Sequence, residues 1–420
     1  MINRRQKGAV LLVLLTILVL GAVTLFFSQL KYVDTTYIQY QRSDEVLQEA
    51  RGALIGWALT HENQPGLLPV PDLPGDGDYD GQSDCPAGAI NSSHLLGQLP
   101  WKAYAAPCVD SRGGTGAHLK DASGASLWYA VTRNLLYEFG YPVINSELAD
   151  SSSGWITVRD NSGAVLSDRV AAVVIAPGVA LQGQERIGAA SPASQFLDSV
   201  TIGATTYSNA NFDSDFIRAD ESDNFNDRLE FITIDELMVM IERKVAVKVR
   251  GCLDDYAAVS GDKYPWAAPL DGASAPGYAG VYNSGFGRLP DSLNIESSPG
   301  VVDPAMQLTW QPADCFSGVA YWNNWREMVF YQVAPGYQPG SGASCPDCLT
   351  FNGSGAFRAM VVVAGQRLAG QNRSSNSDQG EITNYLEGDN ADADTAFEMN
   401  VASALFNDRA ICVDGGNLCL

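Results

Sequence analysis

Histidine is scarce in this chain: only His61, His94 and His118 occur in 420 residues, and none stands in HExxH or a comparable spacing. No GxSxG elbow, no P-loop and no GxGxxG is present, so the local signatures of serine hydrolases, P-loop nucleotide enzymes and dinucleotide binders are missing. Paired carboxylates of the glycosidase kind leave no local signature, and only a three-dimensional structure can find them. Charge is also low. Charged residues make up 18% of the chain, yet acid exceeds base to a formal net charge of −22, a field that repels nucleic acid and anionic surfaces and favours cations. With 46% hydrophobic residues, 41 glycines and 20 prolines, the chain is globular and rich in turns, and long enough for two or three cores.

One region lacks charge altogether. Ala9 to Phe27 is apolar with Gly21 as its one helix breaker, and Arg4, Arg5 and Lys7 precede it. A helix of about 19 such residues rises roughly 28 Å, which predicts a transmembrane helix over 9–28. The positive-inside bias then predicts a cytoplasmic leader, 1–8, and an exported remainder. A cleaved secretory signal is the plainer alternative, but Leu25-Phe26-Phe27-Ser28-Gln29-Leu30 is a poor cleavage site. Beyond the run, Val33, Tyr37, Tyr40, Leu47, Ala50, Leu54 and Trp57 recur at helical steps, with Asp34, Gln41, Asp44, Gln48 and Glu49 opposite. Continuous from Ala9 to about His61, this helix would be near 80 Å long.

A basic leader ending Lys7-Gly8, then an apolar helix running into an amphipathic one, resembles the type IV pilin and type II secretion pseudopilin superfamily. The resemblance covers residues 1 to about 60, and Leu99-Pro100-Trp101 with Leu127-Trp128-Tyr129 is similar to the head segment of certain pilin-like minor subunits. It implies cleavage by a prepilin peptidase after Gly8, methylation of Ala9 as the new N-terminus, and partners among other pilin or pseudopilin subunits and the inner membrane. Most members carry a glutamate five residues after the cut, where this chain has Val13. That departure resembles the large minor pseudopilin at a filament tip. The expected placement is the inner membrane, single-pass, with a periplasmic C-terminus and later a filament.

Eight cysteines, all beyond the apolar run, fit an oxidising compartment. Cys85 with Cys108 and Cys412 with Cys419 are close in sequence, while Cys252, Cys315, Cys345 and Cys348 leave three connectivities open. Cys345-Pro346-Asp347-Cys348 has redox spacing, but it sits in a Gly/Ser/Pro-rich loop with no strand-to-helix pattern, and a zinc site would need a second tightly spaced pair.

An internal repeat organises the rest. At an offset of 199 residues Val46, Arg51, Gly52, Leu54 and Ala58 fall on Val245, Arg250, Gly251, Leu253 and Ala257. Gly97-Gln98-Leu99-Pro100 then recurs as Gly287-Arg288-Leu289-Pro290, Leu127–Val131 as Val329–Val333, and Ala172–Ala176 as Val361–Ala364. Leu181-Gln182-Gly183-Gln184 recurs as Leu368-Ala369-Gly370-Gln371, and Asn226-Asp227-Arg228 as Asn407-Asp408-Arg409. The fold expected is α+β: a long N-terminal helix, transmembrane then amphipathic, on antiparallel sheet, with a pilin-like head duplicated in tandem over 29–232 and 233–420. The second head opens on a stripe of Ile234, Leu237, Met238, Ile241, Val245, Val249, Cys252 and Tyr256, expected to pack on its own sheet alone.

Asp76, Asp78, Asp80 and Asp84 follow DxDxDG spacing, which could gather oxygen ligands round Ca2+. The twelfth-position glutamate is replaced by Ala87, and the alternative is a solvated acidic turn. Asp213, Asp215, Asp220 and Asp223, then Asp389, Asp392 and Asp394, form further acidic loops. The expected function is a low-copy minor pilin or pseudopilin with no enzymatic activity. The alternative is a membrane-anchored ligand-binding or adhesion module using Trp266, Trp310, Trp322 and Trp325, for which core packing is the plainer reading.

Overall fold

The computed structural model describes residues 6–414 apart from 62–63, 75–76, 87, 103–112, 138–141, 151–153, 273–276, 312, 314 and 317–320, and for 6–12 and 24–39 the helical backbone alone. Arg4, Arg5, Asp76, Ala87, Cys108 and Cys419 therefore lie outside the described residues, as do the side chains of Gly8, Ala9, Val33, Asp34 and Tyr37.

Helix α1, Gln6–Leu59, is 54 residues long and passes through both Gly8 and Ala9. Its second part is amphipathic: Leu47, Ala50, Leu54, Ile55 and Ala58 are buried while Gln41, Glu45, Gln48 and Glu49 stay outside. Among the described side chains of its first part, Val13, Leu14, Leu15, Ile17, Leu18, Val19, Leu20 and Val23 are all exposed. Among the described residues, no helix is long and apolar enough to cross a membrane. The transmembrane helix expected over 9–28 and the single-pass inner-membrane placement are corrected accordingly. What stands of the expected fold is its α+β class, built on a sheet curled as a half barrel.

The first sheet comprises β1 Leu96–Gln98, β2 Trp128–Val131, β3 Ile156–Arg159, β4 Val165–Ala176, β7 Asp215–Ile217 and β8 Arg228–Thr233, with a separate hairpin of β5 Ser199–Ile202 and β6 Thr205–Ser208. Strand β4 is its axis, antiparallel to β2, β3 and β8. Residues Val170–Ala176 are apolar throughout because both faces of β4 are covered. Ala172, Val174 and Ala176 face the helices, whereas Val170, Val173 and Ile175 join Trp128, Ile156, Val158, Leu197 and Phe216 in a smaller core on the other side.

Strand β8 runs straight into α2, Ile234–Val259, with the Thr233 hydroxyl accepting from the Glu236 N–H at 3.2 Å and Asp235 and Glu236 in the positive first turn. The chain continues through β9 Phe286–Arg288, β10 Glu296–Ser298, β11 Val301–Val302, α3 Trp322–Trp325, β12 Val329–Val333, β13 Leu349–Phe351, β14 Ser354–Phe357, β15 Ala359–Val363, α4 Asn376–Gln379, β16 Ala396–Phe397 and β17 Arg409–Val413. The second sheet has the order β17-β15-β12-β9, all antiparallel, which repeats the β8-β4-β2-β1 path of the first.

Both copies need the glycine of their GxLP segment for the same reason. A Cβ on Gly97 would stand 2.2 Å from the Asp72 carbonyl oxygen, and one on Gly287 would stand 2.0 Å from that of Ala268. In each copy an incoming extended loop bridges to the next residue, Asp72 to Gln98 and Ala268 to Arg288, and only a residue without a side chain lets the two backbones approach so closely.

Helix α2 departs from expectation. Its whole predicted stripe is buried, but it packs on β15 and β17 of its own sheet and also on β4, β8 and α1. One continuous core therefore runs from Leu47 and Leu54 of α1 through Leu237, Ile241 and Val245 of α2 to Val361 and Val413. Ser146 donates to the Ala364 carbonyl at 2.7 Å, and Asn145 to that of Asn324 at 2.9 Å, across the same seam. The second helix has no apolar run of its own to hide, so it lends one flank to each sheet.

Disulfides join Cys252 to Cys315, fixing α2 to the loop before α3, and Cys345 to Cys348. Cys85 and Cys412 are also disulfide-bonded, and no described cysteine is free.

Candidate functional site

The residues singled out by spacing do not assemble a catalytic or metal centre among those described. His61 Nδ1 accepts from the Gln64 N–H at 3.0 Å, His94 Nδ1 accepts from the Asn91 N–H, and His118 stacks on Trp101 with ring centroids 4.6 Å apart. In the acidic loop, Asp80 accepts from the Gln82 N–H and side-chain amide, and Asp84 accepts from the Leu73 N–H at 2.6 Å. These bonds make a turn of the kind expected of a solvated acidic loop. Asp215 is held by Arg159 Nε, Asp220 by the Asn161 amide, and Asp392 and Asp394 accept from nearby backbone N–H groups. No described group of three or more His, Cys, Asp or Glu could hold a metal ion. Trp266, Trp310, Trp322 and Trp325 are all buried, so the tryptophans offered as an adhesive surface belong to the core.

A duplicated polar network takes their place. In the first copy Asp198 and Asp227 exchange backbone bonds: the Asp198 N–H donates to Asp227 Oδ2 at 2.8 Å, and the Asp227 N–H donates to Asp198 Oδ2 at 3.2 Å. The Asn209 amide gives Asp227 Oδ2 its second bond, and Gln184 Nε2 reaches Asp198 Oδ1 at 2.8 Å. Arg186 closes the ring through the carbonyls of Gly178 and Gln195 and Gln184 Oε1. In the second copy the Glu387 N–H donates to Asp408 Oδ2 at 2.8 Å, the Asn407 N–H to Glu387 Oε2, and the Asn390 amide to Asp408 Oδ2. Gln371 reaches Glu387 Oε1 at 2.7 Å, and Arg373 bonds the carbonyls of Gly365 and Asn384 and Gln371 Oε1. Burial pushes both Asp227 and Asp408 well above the usual carboxylate range, and the neighbouring acid, Asp198 or Glu387, adds to the shift. Burial lowers Arg186 and Arg373 in turn. Paired carboxylates thus exist, but they face the interior and fasten a loop to the strand that follows.

The arginine of each Asn-Asp-Arg block then reaches the helix of its own copy. Arg228 holds Asp44 of α1 through two bonds, of 2.8 and 2.7 Å, in the open. Arg409 Nε lies 3.7 Å from Glu242 Oε2 of α2, and here the carboxylate is almost wholly enclosed. Burial pushes Glu242 up to about 7, against the opposing pull of Arg409.

Beside this pair opens a cleft of about 260 Å³, lined by Asp235, Met238, Val239 and Glu242 of α2, by Gly365 and Gln366, by Ala402, Ser403, Asn407 and Arg409, and by Ala149 of the first copy. Asp235 is held at its rim by Arg169 Nε at 2.7 Å. A turn bridged between Ser403 and Phe406 forms one lip, as Ser222 and Phe225 do in the first copy. There the exposed turn residues are Asp220, Glu221, Asp223 and Asn224, and in the second copy their places are taken by Val401, Ala402, Ala404 and Leu405. Val401 is 90% exposed and Leu405 84%. Sequence reasoning stopped at the repeated Leu-x-Gly-Gln blocks, and Arg186 and Arg373 two residues further on were the signal of the network.

No family model matches the chain, and neither does any curated protein or solved structure compared with it. With no membrane-crossing helix among the described residues and no such match, the expected roles as a minor pilin or pseudopilin in a type IV pilus or type II secretion filament, and as a membrane-anchored binding module, are withdrawn together with the expected periplasmic setting; of those expectations the disulfides alone find support.

Proposed function

We propose that the chain is a non-catalytic binding protein: two repeated α+β units, 29–232 and 233–420, share one core, and the second takes a protein segment in the cleft beside α2. The observation that carries this reading is the apolar turn at the cleft's lip, where Val401 and Leu405 stand exposed at positions that are charged or polar in the other copy. Exposed apolar side chains beside a concave, partly polar wall are the usual make-up of a protein-binding spot. A volume of about 260 Å³ falls below the range of most small-molecule sites and suits one or two anchoring side chains. The net charge of −22 favours a basic flank on the partner and disfavours nucleic acid.

Selection of displayed peptides on the full chain tests the reading. The expected result is enrichment of peptides with an apolar anchor and basic flanks, with binding lost at least tenfold in a Val401→Asp, Leu405→Asn chain. Peptides that bind that variant equally well, or no enrichment at all, would count against it. Kinship of residues 1 to about 60 with the pilin superfamily is a proposal about ancestry alone; a mature chain beginning at Ala9 supports it and one beginning at Met1 opposes it.

A further inference from the structure

Each copy of the polar network brings two acids together, and one of each pair, Asp227 or Asp408, is buried. Asp227 and Asp408 are buried, and Oδ1 of each has no hydrogen-bond donor although Oδ2 has two. An ionised carboxylate in such a place leaves one oxygen bare beside a second negative charge, which is unfavourable. A carboxylic acid has no such problem, because its O–H can serve the neighbouring carboxylate. In the second copy the Glu387 carboxyl is within hydrogen-bonding reach of Asp408. In the first, the reciprocal backbone bonds hold Asp198 and Asp227 together.

We infer that each pair is closed by a single proton, held on Asp227 in the first copy and on Asp408 in the second, so that this chain takes up protons when it folds at neutral pH. The charges around each pair agree with one retained negative charge. Asp227 faces Asp198 and the guanidinium of Arg186, with the neutral Asn209 and Gln184 completing the shell. Asp408 faces Glu387, with Asn390 and Gln371, while Arg373 stands by Glu387 and is shared with Glu147 and Asp150 from the other copy. Each arginine is also shared with carboxylates outside its pair, Arg186 with Asp121 and Arg373 with Glu147 and Asp150, so neither pair has cation enough for two charges and its second acid stays neutral.

This goes beyond the binding role proposed above and bears on it, because Asn407 and Arg409 on either side of Asp408 both line the cleft. The sign follows from linkage. A carboxyl whose folded-state affinity for the proton exceeds its unfolded one contributes stability that is complete below the unfolded value, near pH 4, and is lost progressively as pH rises toward the folded value. Mild acid therefore tightens both loop fastenings and alkali loosens them, the opposite of an ordinary salt-bridged carboxylate.

Calorimetric unfolding at pH 7 in buffers of different ionisation enthalpy counts the protons released. Asp227→Asn and Asp408→Asn keep the shape of the acid and its donor, so each variant is expected to release about one proton fewer than the wild type, and the double variant two fewer. Between pH 5 and 7 the wild-type unfolding constant should rise about tenfold per pH unit faster, for each pair, than that of the matching variant. Proton release unchanged by either substitution would overturn the inference. If a variant does not fold, the infrared spectrum of the wild type decides at pH 8, where Glu242 is mostly ionised: carbonyl absorption from about two protonated carboxyls supports the shared protons, and its absence refutes them.

Discussion

The two copies keep the same fastenings and differ in what they show to solvent. Gly97 and Gly287, Gln184 and Gln371, Arg186 and Arg373, Asn209 and Asn390, and Asp227 and Asp408 do equivalent work. These residues fix how a loop meets a strand, where a small change leaves a buried polar group unpaired, so neither copy can vary them freely. At the surface the constraint lapses. The charged turn of the first copy has become apolar in the second, and the open Arg228–Asp44 pair has its counterpart in the enclosed pair of Arg409 and Glu242.

One interior position breaks the symmetry. Gln98 in the first GxLP segment is partly exposed, whereas its counterpart Arg288 is wholly buried. Arg288 donates to the carbonyls of Leu270, Gln379 and Glu327, and its guanidinium lies 4.0 Å from the ring centre of Phe330 and 4.2 Å from that of Tyr385. The second copy is thus pinned by a cation between aromatic rings where the first uses a neutral amide. Burial lowers the proton affinity of Arg288, but its bonds to three carbonyls serve the charged form.

The largest break in the comparison is expected there. Arg288→Met leaves three buried carbonyls without their donor and should cost about 3–5 kcal/mol in urea unfolding, while Gln98→Met should cost under about 1 kcal/mol. Equal losses would mean that the two positions are alike after all. A smaller effect sharpens the likeness of the helices. Gly52 of α1 and Gly251 of α2 are equivalent helical glycines with open space where a Cβ would stand. Gly52→Ala and Gly251→Ala should each stabilise the chain by about 0.5–1 kcal/mol in the same assay, and a loss at either would show a contact that its twin lacks.

Much of the architecture was legible because periodicity reports burial. The stripe from Ile234 to Tyr256 is buried at every position named from sequence, and the GxLP, aromatic and Val-rich segments became β1, β2 and β4 and then β9, β12 and β15. Periodicity says which face is covered, but not by what, so the packing of α2 against both sheets was invisible. The same limit applies to Ala9–Phe27, whose apolar length and basic flank suggested a membrane. The polar network was hidden for another reason. Asp198 and Glu387 differ in type, and the spacing between equivalent residues drifts with loop length, so a comparison at one fixed offset loses them. Tryptophan burial was equally silent, since an aromatic side chain serves a core or a surface with the same local sequence.

Helix α2 fuses two copies of one design into a single cooperative body. Native-state hydrogen exchange of the Val173 amide in β4 and the Val361 amide in β15 tests it most directly, read in the wild type and in Leu237→Ala, a cavity in α2 that should cost about 2–5 kcal/mol. Both amides are expected to open with the same free energy and to lose protection equally in the variant. Protection lost at Val361 while Val173 keeps its own would contradict it.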